Sequence, residues 1–148
     1  MLKAIVIDDE PMALEVIKGL TEKVTFVELE GYFTNSFEAL KFLQTNKIDL
    51  IFLDIKMPDI SGIEFLKLIP DPPIVVFTTA YSEHAVESFE LDAIDYLLKP
   101  FDRDRFSKAI KKVLEYRSIP SVMEQKLSSV HTTIHSLLAR IANLYRVF

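Results

Sequence analysis

At 148 residues, 49% hydrophobic and 26% charged, the chain has the length of one domain with an extension and the composition of a globular protein that can bury a core. It contains no cysteine, which excludes disulfides, thiolate metal sites and cysteine nucleophiles and fits a cytoplasmic setting, and no apolar stretch approaches the ~20 residues of a membrane-spanning helix. The net charge is −5, and of the 17 basic and 22 acidic groups, residues 118–148 hold Lys126, Arg140 and Arg146 against Glu124. The acidic excess therefore lies in residues 1–117, a poor surface for nucleic-acid phosphates, which need clustered Lys and Arg.

In chain order the pattern alternates strand and helix. Residues 4–7 form an apolar run that ends in Asp8, Asp9 and Glu10; Pro11 then opens a helix to about residue 23 with Leu14, Ile17 and Leu20 on one face. Residues 26–32 read as a second strand. Ser36 is the expected cap of a second helix whose Phe37, Leu40 and Leu43 face the core. The run 50–53 ends in Asp54 and is followed by a loop to Gly62 and a third helix carrying Ile63, Leu66 and Ile69. Pro70, Pro72 and Pro73 break that helix ahead of a fourth strand, residues 74–77, which ends in Thr78 and Thr79. A fourth helix over 82–91, a short strand over 95–98 that ends in Lys99 and Pro100, and a fifth helix over 104–117 complete five βα units. Such alternation implies an α/β fold with a parallel sheet and helices on both faces. Ligands of such sheets sit beyond the carboxyl ends of the strands, so three carboxylates, a hydroxyl and an ammonium are delivered to one rim.

That set is what phosphoryl transfer needs. A carboxylate can accept a phosphoryl group, and Asp54 is the candidate. The repulsion between the two must be neutralised by a hard cation; Mg2+ prefers oxygen ligands, which Asp8, Asp9, Asp54 and a main-chain carbonyl can offer. Taken singly, each residue has a plainer role: Asp8 or Asp9 as a helix cap, Asp54 as a turn residue, Thr79 as a cap and Lys99-Pro100 as a strand terminator. His84, His131 and His135 read as solvated; the last two stand four apart without an acidic or cysteine companion for zinc.

The order and spacing of Asp8-Asp9, Asp54 with Pro58 and Gly62, Thr79-Ala80 and Tyr96-Leu-Leu-Lys99-Pro100-Phe101 resemble the receiver (CheY-like) domain of two-component response regulators, over residues 1–117. The wording Phe77-Thr-Thr-Ala-Tyr81 and Ala93 to Phe101 is most similar to receivers of the LytTR branch; Asp92, where many relatives place Gly, departs from the pattern. The resemblance implies a flavodoxin-like sheet of five parallel strands in the order 2-1-3-4-5. It also implies phosphorylation of Asp54 by a sensor histidine kinase, Mg2+ held by Asp8, Asp9, Asp54 and the Lys56 carbonyl, and Lys99 paired with Asp54 at rest. Thr79 would bind the phosphoryl group and form a switch pair with Tyr96. The competing expectation is a Mg2+-dependent phosphatase or hydrolase with Asp54 as transient nucleophile. A scaffold is disfavoured by the complete acidic pocket.

Residues 118–148 form a second region. Met123, Leu127, Val130, Ile134, Leu137, Ile141, Leu144 and Phe148 are spaced alternately four and three apart, a heptad that begins after Pro120 and Ser121. With Leu127, Ile134 and Ile141 at a and Val130, Leu137 and Leu144 at d, the pattern favours a parallel pair of helices and hence a homodimer. Leu138, Tyr145 and Val147 widen the apolar face, so a four-helix arrangement or a helix docked on its own domain also fits. The homodimer can equally form through the receiver surface. A LytTR-type effector, about a hundred residues in family members, does not fit in this region, so either the chain is truncated before it or the tail is itself the output. Neither direct nucleic-acid binding nor a membrane partner is expected.

Overall fold

The structure, a computed structural model, describes the main chain of residues 1–80 and 93–146, and their side chains apart from 118–126, 128 and 143–146. The expected fourth helix, with His84 and the departure at Asp92, lies outside the described residues.

Five strands form one parallel sheet in the order β2-β1-β3-β4-β5: β1 (Leu2–Ile7), β2 (Val27–Phe33), β3 (Leu50–Asp54), β4 (Ile74–Thr79) and β5 (Asp95–Leu98). This is the doubly wound, flavodoxin-like order expected, and it follows from the sequence pattern. β1 beyond Lys3, β3 up to Asp54 and β4 up to Thr78 are continuous apolar runs, as strands covered on both faces must be. β2 instead alternates buried and exposed residues, because at the sheet edge only one of its faces is covered. The order reverses between β1 and β3, so the tips of these two strands frame the crevice where such folds hold ligands.

Among the described residues, four helices accompany the sheet: α1 (Pro11–Glu22), α2 (Ser36–Thr45), α3 (Gly62–Lys67) and α4 (Arg103–Arg146). Proline stands at the first turn of α1, where its missing N–H costs nothing, and Leu14, Ile17 and Thr21 face inward. The cap of α2 differs from expectation. Asn35, not Ser36, accepts hydrogen bonds from the Phe37 and Glu38 amides, at 2.8 and 3.3 Å. Ser36 therefore becomes the first helical residue and turns inward with Ala39, while Phe37 is 66% exposed. Leu40 and Leu43 pack against the core as expected, so on this helix the expected face loses only Phe37. Helix α3 is capped by Ser61, whose hydroxyl accepts from the Glu64 amide at 3.1 Å. On one face of the sheet Ile5, Ile7, Ile51, Leu53, Val75 and Phe77 pack with Phe65, Leu66 and Ala39. Elsewhere in the core, Phe52 stacks on Phe106 of α4, with ring centroids 5.3 Å apart.

The chain divides into two compact units, Met1–Val113 and Leu114–Phe148. In the first, Phe106, Ala109, Ile110 and Val113 of α4 are buried. In the second, the helical main chain runs on to Arg146. A fifth helix ending at residue 117 was expected, with Pro120 and Ser121 marking the start of the tail, but the helical main chain is continuous through these positions. A proline inside a helix removes one main-chain donor without forbidding the helix.

Candidate functional site

The site is built at the carboxyl ends of β1, β3, β4 and β5. Asp8 follows the last residue of β1; it is 1% exposed, and its Oδ1 accepts the Glu10 amide at 3.0 Å, which fixes the turn into α1. Asp54 is the last residue of β3 and 5% exposed. Its position depends on Gly62, whose Cα packs so close that a Cβ there would lie 2.2 Å from the Asp54 carbonyl oxygen, while the Gly62 amide donates to the Ile55 carbonyl at 2.7 Å. A side chain at 62 cannot fit without moving the main chain of the residue that carries the central carboxylate.

Asp8, Asp9 and Asp54 each offer a carboxylate oxygen, and these lie within 4.8 Å of one another. Lys99 reaches into the same space. Its ammonium donates to Asp8 Oδ2 at 2.6 Å and stands 3.8 Å from Asp54 Oδ2. Lys99 was expected to pair with Asp54; its shorter contact is with Asp8. The electrostatics agree with that preference. Burial, and then the neighbouring Asp8 carboxylate, push Asp54 up to about 7, with Asp9 adding to the rise and Lys99 opposing it. The ammonium thus lies farther from Asp54, the carboxylate whose charge burial disfavours. Three hard oxygen donors converging from a strand tip and the adjoining turn fit a small divalent cation, which would relieve the crowding that raises Asp54.

Thr79, at the end of β4, is fully buried, and its carbonyl accepts the Lys99 amide at 2.7 Å, tying the β4 and β5 tips together. The Lys99–Pro100 peptide is cis. Thr79, Thr78, Lys56, Lys99 and the three aspartates line one cavity of about 690 Å³, which continues past Met12, Val16 and Phe101. Every residue assigned to the site from the sequence, apart from Tyr96, therefore borders one space. Tyr96 lies on the other side of β5, half-buried against the core with its hydroxyl buried. Thr78, read from the sequence only as a strand end, also lines this space; the apolar extension along α1 went unnoticed, since an apolar residue on a helix start carries no distinguishing signal.

A second polar cluster was missed altogether. Arg105 of α4 forks onto Asp95 of β5, with Nη1 donating to Oδ2 at 2.8 Å and Nη2 to Oδ1 at 2.7 Å; Nη2 also donates to the Tyr96 carbonyl at 3.2 Å. Lys112 stands 3.4 Å from the same carboxylate. Burial pushes Asp95 up, but the Arg105 fork, the Tyr96 amide and Lys112 outweigh it and hold the carboxyl below its ordinary value. An aspartate at an inward strand position is the only hint that the sequence carries.

The model of the response regulator receiver domain matches residues 4–111. The sensory transduction protein LytT of Bacillus anthracis is 40% identical over 136 residues, covering 90% of this chain and 55% of LytT. The transcriptional regulatory protein BtsR of Escherichia coli K12 is 36% identical over 144 residues, covering 92% of this chain and 60% of BtsR. The chain thus spans about half the length of these relatives. Among solved structures, the response regulatory domain of MrkE from Klebsiella pneumoniae superposes with a TM-score of 0.71 at 38% identity, covering 78% of this chain and 97% of that one. The response regulator TrrA of Thermotoga maritima, solved in complex with Mg2+ and BeF, gives 0.67 at 32% identity over 76% of this chain and 99% of that one. With the sheet order, the acidic cluster and these matches in agreement, the chain belongs to the response regulator receiver domain family of two-component signalling.

Proposed function

We propose that the chain is a phosphorylation switch: Asp54 takes a phosphoryl group from the phosphohistidine of a sensor kinase in the cytoplasm, and the change in the site is relayed to a partner. The observation that carries this reading is the convergence of Asp8, Asp9 and Asp54 around the Lys99 ammonium at the strand tips. A carboxylate oxygen of Asp54 attacks phosphorus, the new P–O bond forms as the P–N bond breaks, and the imidazole leaves. Asp8, Asp9, Asp54 and the Lys56 carbonyl would hold Mg2+, which would supply charge neutralisation at the transferring group. The protein's own part is positioning. Gly62 lets the loop after β3 close against the Asp54 main chain, Lys99 can turn from Asp8 to a phosphoryl oxygen, and the Thr79 hydroxyl can donate to another.

The relay runs through Thr79 and Tyr96. Drawing Thr79 toward the phosphoryl group shifts the β4 tip, and Tyr96, on the far side of the adjacent strand, repacks in response. The output is association with a second copy or with an effector. Control of transcription through a LytTR-type effector is the form we favour, because BtsR, a relative of greater length, bears the name of a transcriptional regulator. The chain itself is read as making no direct contact with nucleic acid or membrane; no helix among the described residues is long and apolar enough to cross a membrane. Incubation with acetyl phosphate and Mg2+, followed by intact-mass measurement, tests the reading. One added phosphoryl group in the parent, and none when the metal is chelated before the donor is added, is the expected result; labelling independent of Mg2+ would contradict it.

A further inference from the structure

Within Leu114–Phe148 the helix presents an unpartnered apolar stripe. Leu127, Val130, Ile134, Leu137 and Ile141 are each 49–65% exposed, and Leu138 on their flank is 60% exposed. The positions that face away from this stripe are Ser129, Thr132, His135, Ser136, Ala139 and Ala142, all small or polar. A straight helix drifts about 20° per heptad against a strict seven-residue repeat, so residues that keep the repeat stay on one seam only when the helix supercoils around a partner of the same period.

The composition of the stripe narrows what that partner is. Between residues 127 and 145 the only formal charge is Arg140. A helix that lies on an anionic membrane carries Lys and Arg along its polar face, and one that binds nucleic acid carries them in clusters; neither is present here. A strongly charged protein partner would find nothing to pair with, whereas a second copy of the chain brings an equally uncharged seam with the same period. Ile134 and Ile141 at a with Leu137 at d are the choices that favour two parallel strands. Six aliphatic side chains of this exposure from each of two copies would bury on the order of 1,000 Å², near the lower bound of specific interfaces.

We propose that the tail helices of two copies wind, along the seam from Leu127 to Ile141, into a parallel, in-register coiled coil, which makes this helix the dimerisation element of the chain. The proposal gives a definite partner to the association described above and rests on that reading for its regulatory meaning, but not on the assignment of Asp54.

The test is sedimentation of the full chain at micromolar concentration, beside the double variant Ile134→Asp with Ile141→Asp and with Asp54 labelling as a check that the receiver remains folded. The parent should be a dimer. The double variant should associate at least ~100-fold more weakly, because the coil would have to bury unpaired carboxylates, and it should label at Asp54 as the parent does. Because the chain has no cysteine, Leu127→Cys reports geometry even if the double variant fails to fold. In a parallel pair residue 127 meets its own copy, and mild oxidation should link the chains far faster than it links Ser136→Cys on the outer face. A monomeric parent, a double variant that remains dimeric, or a Leu127→Cys protein that links no faster than Ser136→Cys would each overturn the proposal. A dimer that behaves as described but takes no label at Asp54 would leave the coil standing and remove the phosphoacceptor instead.

Discussion

The Lys99 ammonium lies 2.6 Å from Asp8 Oδ2 and so ties the tip of β5 to the turn after β1, across the strands between them. Asp8 is almost wholly buried and Asp54 stands next to it. Replacing Lys99 by Ala leaves two buried carboxylates without their ammonium. Stability in metal-free buffer at pH 8 should fall by about 2–4 kcal/mol, measured by urea unfolding, and saturating Mg2+ should recover part of the loss. A variant as stable as the parent without metal would show that the contact contributes nothing.

Asp54 yields a prediction of opposite sign. Its carboxyl is raised from an ordinary 3.8 to about 7 by burial and by Asp8, so the folded chain holds this proton more tightly than the unfolded chain does. The stability that protonation contributes is fully present below pH 3.8 and is lost as the pH rises through about 7. Asp54→Asn removes the charge and with it this loss. In the presence of a chelator the variant should be more stable than the parent at pH 8, by a few kcal/mol on the scale of about 1.4 kcal/mol per pH unit, and the advantage should shrink toward pH 5. Parallel stability curves for the two proteins between pH 5 and 8 would contradict the account.

How far such a site is legible in a sequence depends on whether its parts are local. Asp8, Asp54, Thr79 and Lys99 were legible because each ends an apolar strand, and a parallel sheet collects strand ends on one rim. On α2, Leu40 and Leu43 pack on the core as read and Phe37 alone does not; the cap was misjudged by one position, because Asn35 and Ser36 are both competent caps and only the approach of the chain from β2 decides between them. The Asp95–Arg105 fork was invisible, since it pairs a strand residue with a residue on the next helix whose facing is set by tertiary packing. Pro120 and Ser121 were read as the start of the tail, and nothing local in the sequence showed that the helical main chain continues through them.

Gly62 is expected to tolerate no side chain. A Cβ at 2.2 Å from the Asp54 carbonyl oxygen forces the loop after β3 to move, so Gly62→Ala should cost about 1–3 kcal/mol by urea unfolding. It should also lower the rate of labelling by acetyl phosphate at least ~10-fold, because small misplacements of a reacting group are costly. A variant that labels at the parent rate would place the constraint elsewhere.

Arg105→Ala isolates the second cluster. It removes the fork from a carboxylate that is 4% exposed and leaves Lys112 at 3.4 Å as the nearest cation. A loss of about 1–3 kcal/mol is expected, recovered in large part by the double variant Arg105→Ala with Asp95→Asn. Additive losses in the double variant would argue that the two side chains are not energetically coupled.

The central claim is that Asp54 is the phosphoacceptor, and the most direct measurement is reductive trapping. Borohydride converts an aspartyl phosphate to homoserine, so peptide mapping of protein treated with acetyl phosphate and Mg2+ reads out the acceptor residue itself. The account predicts homoserine at position 54, none at positions 8 or 9, and none anywhere in Asp54→Asn. Homoserine at another aspartate in the parent protein, with position 54 unmodified, would contradict it.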